Sequence, residues 1–189
     1  MLSMPSWWAN RNVEEEMMNL ETHPTAEEVK AMLSLKPHPT CGFVAETYRS
    51  PLKIPSEALP EAYEGDRPYG SALYFLVSPE AQIVMHRIRS DQLYHHYMGD
   101  PLEVLMLYPN GTGAVASVGS DLTGGERPQL FVPGGTFHTS RLASGDSGYA
   151  LLASTEWPGV EPPDVEHGNV EELVVAFPEM AAQIHAFTG

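Results

Sequence analysis

Hydrophobic and polar positions along this chain change their period twice. Near the start, Val29, Met32 and Leu33 recur at helical spacing behind Thr25, and Glu28 stands three positions after that threonine. In this pairing a hydroxyl and a carboxylate satisfy the free N–H groups of a helix start, so it predicts a short helix over residues 26–34. Pro37 and Pro39 end it, and beyond them the period is two. Within 42–50, Phe43, Ala45, Thr47 and Arg49 alternate with Val44, Glu46, Tyr48 and Ser50. Further short runs rich in aromatic and β-branched residues follow at 71–78, 82–88, 92–98, 103–108, 114–118, 129–132 and 148–155. Turn sequences such as Gly99-Asp100-Pro101 and Asn110-Gly111 separate them. Many short strands at even spacing predict a mainly β fold, a sandwich or barrel. Residues 51–70 carry four prolines and many charges; they read as a loop serving as a lid, a linker between strands or a dimer contact. After Trp157-Pro158-Gly159 the helical period returns. Asn169 and Glu172 precede Leu173, Val174, Ala176 and Phe177; Pro178 interrupts, and Met180, Ile184 and Phe187 continue. These C-terminal helices are expected to cover one open face of the sheet.

Length and charge narrow the picture. A chain of 189 residues matches one domain, expected over 25–180, with an N-terminal extension over 1–24 and a helix end over 181–189. The formal net charge of -15 excludes nucleic acid and anionic membrane surfaces as partners, since both require a basic footprint. No apolar run approaches the roughly 20 residues of a membrane helix, and no basic start precedes an apolar stretch. Cys41 has no second cysteine to pair with, which fits a reducing, cytoplasmic setting, and it reads as an inert small residue. Trp7 and Trp8, among polar residues, suit either a disordered tail or an arm that docks its indoles on a neighbour.

The segment Pro133-Gly134-Gly135-Thr136-Phe137-His138 carries the clearest chemistry. A proline and two glycines end a strand and let it re-enter sharply, and the turn is expected to deliver His138 into the mouth of a small barrel. Loops at barrel mouths commonly carry binding and catalytic groups.

Several blocks, in order, then resemble the uncharacterised Cupin_5-type branch of the cupin superfamily. They are Leu35-Lys36-Pro37-His38-Pro39, Glu46-Thr47-Tyr48-Arg49-Ser50, Ser71-Ala72-Leu73-Tyr74-Phe75-Leu76, His86-Arg87-Ile88, Ser90-Asp91-Gln92-Leu93-Tyr94-His95, Gly99-Asp100-Pro101-Leu102, Gly124-Gly125-Glu126-Arg127-Pro128-Gln129 and Val132-Pro133-Gly134-Gly135. The resemblance spans roughly residues 33–180 and implies a double-stranded β-helix, or jelly-roll barrel, paired as a homodimer. In the wider family a first motif holds two histidines, a glutamate and a glycine, and a second has the core PxGxxH. The second falls on Pro133, Gly135 and His138; in the first, His86 takes the leading histidine, Ile88 the other, Gln92 the glutamate and Gly99 the glycine. Two usual metal ligands are thus replaced, leaving His86 and His138 as the core of a reduced divalent-metal site.

The residues supply further candidates. If Gln92 faces inward, strand alternation puts Tyr94, His96 and Met98 on the same face, with Leu93, His95 and Tyr97 opposite. His96 would be a third imidazole, and Glu103 a carboxylate if its register turns it inward. Tyr48, Tyr74 and Tyr94 can bury their rings while offering hydroxyls to a ligand. Glu46 and Arg49 have opposite parity and share a face only if a bulge intervenes. Arg87 or Arg89 is expected to pair with Asp91 on the surface.

These readings lead to a barrel that binds a small polar metabolite through Tyr48, Tyr74, His86, Gln92, Tyr94, His96, Glu103 and His138. A first activity is a sugar-nucleotide-like isomerase or epimerase, in which His138, His96 and Tyr94 exchange protons with substrate without metal. No cluster of arginines for a diphosphate is visible. A second reading is a non-catalytic binding or sensor module, and a third is a metal-dependent lyase or oxygenase with a reduced ligand set.

Overall fold

The chain was described from a computed structural model covering residues 23–61 and 63–189; the Trp7-Trp8 segment lies outside those residues. The first helix, α1 (Ala26–Met32), has the expected start: the Thr25 side chain accepts from the Glu28 backbone, and the Glu28 carboxylate accepts from the Thr25 backbone N–H at 2.8 Å. Two antiparallel sheets follow. One runs in the order β1 (Lys36–Pro37), β2 (Phe43–Arg49), β5 (Ser71–Val77), β12 (Ala150–Trp157), β7 (Asp91–Gly99), β10 (Gln129–Val132). The other runs β13 (Val165–His167), β6 (Ile83–Ile88), β11 (Phe137–Leu142), β8 (Leu102–Leu107), β9 (Gly113–Val118). They face each other as a jelly roll. A small pair, β3 (Lys53–Ile54) with β4 (Arg67–Pro68), lies within the 51–70 loop.

Alternation sorts the side chains. Phe75, Val77, Ile83, Leu102, Val104 and Leu152 meet between the sheets and fill one end of the barrel. On the outer side of the first sheet, Leu76 and Leu151 pack under Val29 of α1. On the outer side of the second, Met85, Leu105 and Leu107 are covered by Leu173, Ile184 and Phe187. These belong to α2 (Val170–Ala176) and α3 (Ala181–Thr188), so the C-terminal helices cap one sheet face as their apolar spacing requires.

Three bulges break the alternation. One sits between Glu46 and Tyr48, one between His96 and Met98, and one between Ile83 and His86. Each inserts a residue and moves later side chains to the other face. Met98 therefore packs outward with Leu151 rather than inward beside His96.

The 51–70 loop is held fast. Arg67 is 2% exposed and donates through Nε and Nη2 to Asp164 at 2.7 Å each. Its Nη1 donates to the carbonyls of Glu64, Gly65 and Asp66 at 2.7, 3.0 and 3.0 Å, so the loop folds around one guanidinium. It closes over the barrel end where β5 begins and β12 finishes.

Candidate functional site

The turn at Pro133 pins the corner between β6 and β7. Gly134 N–H donates to Asp91 Oδ1 at 2.8 Å and Gly135 N–H to Ile88 O at 2.7 Å. A Cβ on Gly134 would stand 2.3 Å from Arg89 O, and Gly135 has φ +76°, so both positions need glycine. From sequence the turn delivers His138 to the barrel mouth, and no predicted strand contains it. It is the second residue of β11, a central strand between β6 and β8, in register with His86 and Met106. The alternation of Phe137, Thr139 and Arg141 with His138, Ser140 and Leu142 is the signal for that strand.

His86 and His138 stand side by side on the inner wall, ring centroids 4.3 Å apart. His138 is fully buried and His86 3% exposed. The Nδ1 of His86 lies 2.7 Å from Val84 O, and that of His138 3.1 Å from Thr136 O. A carbonyl only accepts, so each Nδ1 carries the proton and each Nε2 keeps a lone pair. The Nε2 of His138 is buried with no hydrogen-bond partner. Burial lowers the pKa of His138 to about 4 against its bond to Thr136 O. Burial first, and His138 second, lower that of His86 to about 3. Both rings are neutral at physiological pH.

The facing sheet completes a polar chamber. Tyr94 is 2% exposed, its ring 6.0 Å from that of His138 and 5.0 Å from that of Phe75. Burial pushes its phenol well above the ordinary range, with Cys41 and Glu156 adding to the effect. Cross-strand pairing sets Gln92 against Glu156, Glu156 against Ser71, and Tyr94 against Ser154, all on the inner face and all buried. Ser71 Oγ donates to Glu156 Oε2 at 2.7 Å. Burial raises the Glu156 carboxyl above its usual value despite the hydrogen bonds and the nearby Arg49 that oppose the rise. The bulge in β2 turns Glu46 and Arg49 to one side, where Arg49 Nη2 meets Glu46 Oε2 at 2.7 Å and Nη1 meets Glu161 Oε1 at 3.0 Å. The cation nearest the chamber is already engaged. Burial also pushes the Cys41 thiol up to about 12, which keeps it unreactive.

The structure brings His86, Gln92, Tyr94 and His138 together and separates the other candidates from them. Tyr48 lies on the outer face of β2 and is 55% exposed, because the bulge reverses its parity. Tyr74 points outward against Tyr97, ring centroids 5.8 Å apart. Glu103 faces away from the barrel and binds Arg141 at 2.7 Å, since its neighbours Leu102 and Val104 occupy the inner positions. His96 faces inward toward the opposite end of the barrel, with Nε2 3.1 Å from Asp100 O. Arg87 pairs with Glu166 at 2.8 Å and Arg89 lies 3.7 Å from Asp164, whereas Asp91 is taken by the turn. Glu156, Ser71 and Ser154 were not singled out from sequence. Continuing the alternation Ala150, Leu152, Ser154 by one step would have found Glu156.

A divalent transition metal commonly takes three or more imidazole, thiolate or carboxylate donors from protein. Here two imidazoles stand beside an isoleucine and a neutral amide, and no group of three His, Cys, Asp or Glu is poised to hold a metal among the described residues. The donor set does not fit such an ion. What the chamber offers is an array of acceptors, with hydroxyl and amide donors among them. A cavity of about 420 Å³ lies at the β6–β7 corner, lined in part by Tyr63, Ile88, Arg89 and Gly134 and by none of the buried inner-wall residues His86, Gln92, Tyr94, His138 and Glu156.

Comparison with known proteins places this arrangement among relatives. A family described as Cupin superfamily (DUF985) matches residues 27–168. The uncharacterized protein YML079W of Saccharomyces cerevisiae is 27% identical over 157 residues, 78% of either chain. A hypothetical protein from Leishmania major, of solved structure, superposes with a TM-score of 0.76 at 29% identity, covering 87% of this chain and 98% of that one. A solved protein from Shewanella oneidensis gives 0.75 at 28% identity, over 88% and 99%.

Proposed function

The chain belongs to the cupin superfamily, in the family described as DUF985, and from its inner wall we propose that the barrel binds a small polar metabolite and moves a proton on it. The observation that carries this reading is the Nε2 of His138, buried and unpartnered on the inner wall. A buried acceptor without a partner costs free energy, so a site that retains one has a use for it.

The chemistry follows from the two nearest groups. His138 Nε2 takes a proton from a carbon beside a carbonyl, and the C–H electron pair moves onto the carbonyl oxygen. Tyr94 donates to the same carbon from the opposite face, so the product is the epimer. The imidazolium then returns a proton to the phenolate, and both groups end as they began. An imidazole with a pKa of about 4 is unprotonated at physiological pH, and its proton affinity rises when an oxyanion forms beside it. Among the described residues the cation on the inner wall, Arg49, is engaged by Glu46 and Glu161, which disfavours a nucleoside diphosphate substrate.

A second reading keeps the pocket and removes the turnover. The low His138 pKa favours it, since a weak base is a better hydrogen-bond acceptor than catalyst. Incubation in D2O with a panel of small hydroxyketones and sugars separates the two. Proton transfer predicts deuterium at one carbon, with His138→Ala and Tyr94→Phe each slowing the exchange by about a hundredfold or more. Ligand that shifts the His138 ring resonances yet returns without deuterium selects the binding module instead.

A further inference from the structure

Among the described residues Glu156 is the buried carboxyl of the inner wall, on the same sheet face as Tyr94, whose ring lies 6.0 Å from that of His138. Cross-strand pairing places it beside Gln92 on β7 and Ser71 on β5, two residues along β12 from Ser154, which stands opposite Tyr94. These side chains form one continuous polar patch facing His86 and His138 across the barrel. The carboxyl is 4% exposed, and Oε2 is held by the Ser71 hydroxyl, which itself accepts from Val160 N–H at 3.2 Å. Ser71 is thereby fixed as a donor, and the carboxyl is aimed rather than free to swing.

The surrounding charges decide what such a carboxyl can meet. Arg49 on β2 is tied to Glu46 and Glu161. The neighbours on β7 are the Gln92 amide and the Tyr94 phenol, and Cys41 is a neutral thiol near Tyr94 and Glu156. Opposite stand two imidazoles that present lone pairs. An anion brings acceptors only; on this wall it would find two lone pairs, a carboxyl and, among the described residues, an arginine already engaged by two carboxylates. A hydroxyl-bearing neutral molecule brings donors and acceptors together and can satisfy His138 Nε2 and Glu156 at once.

Resting on the barrel-ligand reading above, we propose that Glu156 is a ligand-contacting residue that makes the chamber selective for neutral, hydroxyl-rich metabolites over their carboxylate and phosphate counterparts. The test uses matched probes on the full chain: dihydroxyacetone and D-glucose as neutral members, glycerate and gluconate as carboxylates, and glucose 6-phosphate as the ester. Binding is read from the His138 ring resonances, which report occupancy of the barrel itself. The neutral members should bind at least about tenfold more tightly than the anions at pH 7.5. In Glu156→Gln, which keeps an acceptor for Ser71, that gap should shrink to roughly threefold or less. Anions that bind the native chain as well as the neutral probes, or a gap unchanged in Glu156→Gln, overturn the selectivity role while leaving a barrel ligand in place. If no probe moves the His138 ring in the native chain, the barrel-ligand reading fails and takes this inference with it.

Discussion

Buried ionisable groups on the inner wall tie stability to pH in two opposite directions. In the unfolded chain His138 takes up a proton near pH 6.5, whereas in the fold burial delays this to about 4. The native state is therefore penalised as pH falls between those values, and the stability present above 6.5 is lost. For His138 alone that interval corresponds to about 3 kcal/mol, and His86 acts in the same sense. Glu156 acts the other way. Its carboxyl is raised in the fold, so its contribution is present below the ordinary carboxyl range and is lost as pH rises through the folded value. Urea titrations of the native chain at pH 7.5 and 4.5 should show a loss on acidification to which His138 alone contributes about 2 to 3 kcal/mol, and His138→Phe should reduce the loss by that amount. Glu156→Gln should be more stable than the native chain at pH 8, with the difference closing toward acid. A His138→Phe midpoint that falls with acid as steeply as the native one, or a Glu156→Gln midpoint equal to the native one at pH 8, contradicts the assignment.

Elements and their bulges decide which of those residues share a wall. Strand positions were legible wherever alternation ran unbroken: the expected run 129–132 is β10, and 92–98 lies within β7 (Asp91–Gly99). The inner set Gln92, Tyr94, His96 followed from the same rule. It failed past His96, where one inserted residue sends Met98 outward, and past Glu46, where another puts Tyr48 in solvent and Arg49 beside Glu46. A bulge leaves little trace in one sequence, because the extra residue is an ordinary side chain, Tyr97 or Thr47, rather than a glycine. Tyr74 and Glu103 failed for a different reason: alternation gives two faces but not which one is inside. The long 51–70 loop was recognisable by its prolines, whereas its anchor was not, since Arg67 and Asp164 are far apart in sequence and meet only in the fold. Breaking a buried ion pair by removing one partner strands the other charge, so Arg67→Met should cost about 3–5 kcal/mol. Adding Asp164→Leu should recover part of that loss, because the uncompensated carboxylate is gone. Chemical denaturation of the two variants checks both figures, and limited proteolysis within residues 51–66 should quicken in the single variant. A loss below about 1 kcal/mol for Arg67→Met would show that the pair holds nothing in place.

At the scale of the whole molecule, the two sheets are treated unequally. Helices α2 and α3 cover the outer side of one, while α1 covers only part of the other. Across the remainder, register aligns Tyr48, Ala72, Thr155, Leu93 and Phe131 in one row, with Tyr74, Ala153, His95 and Gln129 in the next. None of these side chains is formally charged, and Tyr48, Tyr97 and Phe131 are 55%, 55% and 52% exposed. On a chain of net charge -15 an uncharged apolar strip is a surface that a second copy can approach without strong repulsion. A two-fold contact of such a strip with itself also satisfies the requirement that each residue meet a matching patch. A homodimer, as the family resemblance implies, would meet through this face. Size-exclusion chromatography with light scattering should give about 41 kDa, twice the 20.7 kDa of one chain, at micromolar concentration. Raising salt should tighten the association, since it screens the repulsion between two acidic bodies while leaving apolar burial intact. Phe131→Asp with Tyr97→Glu should give a monomer that keeps the native fold and its His138 ring shifts with bound probe. If the native chain is monomeric at those concentrations, or the double variant still associates, this sheet face is not the contact.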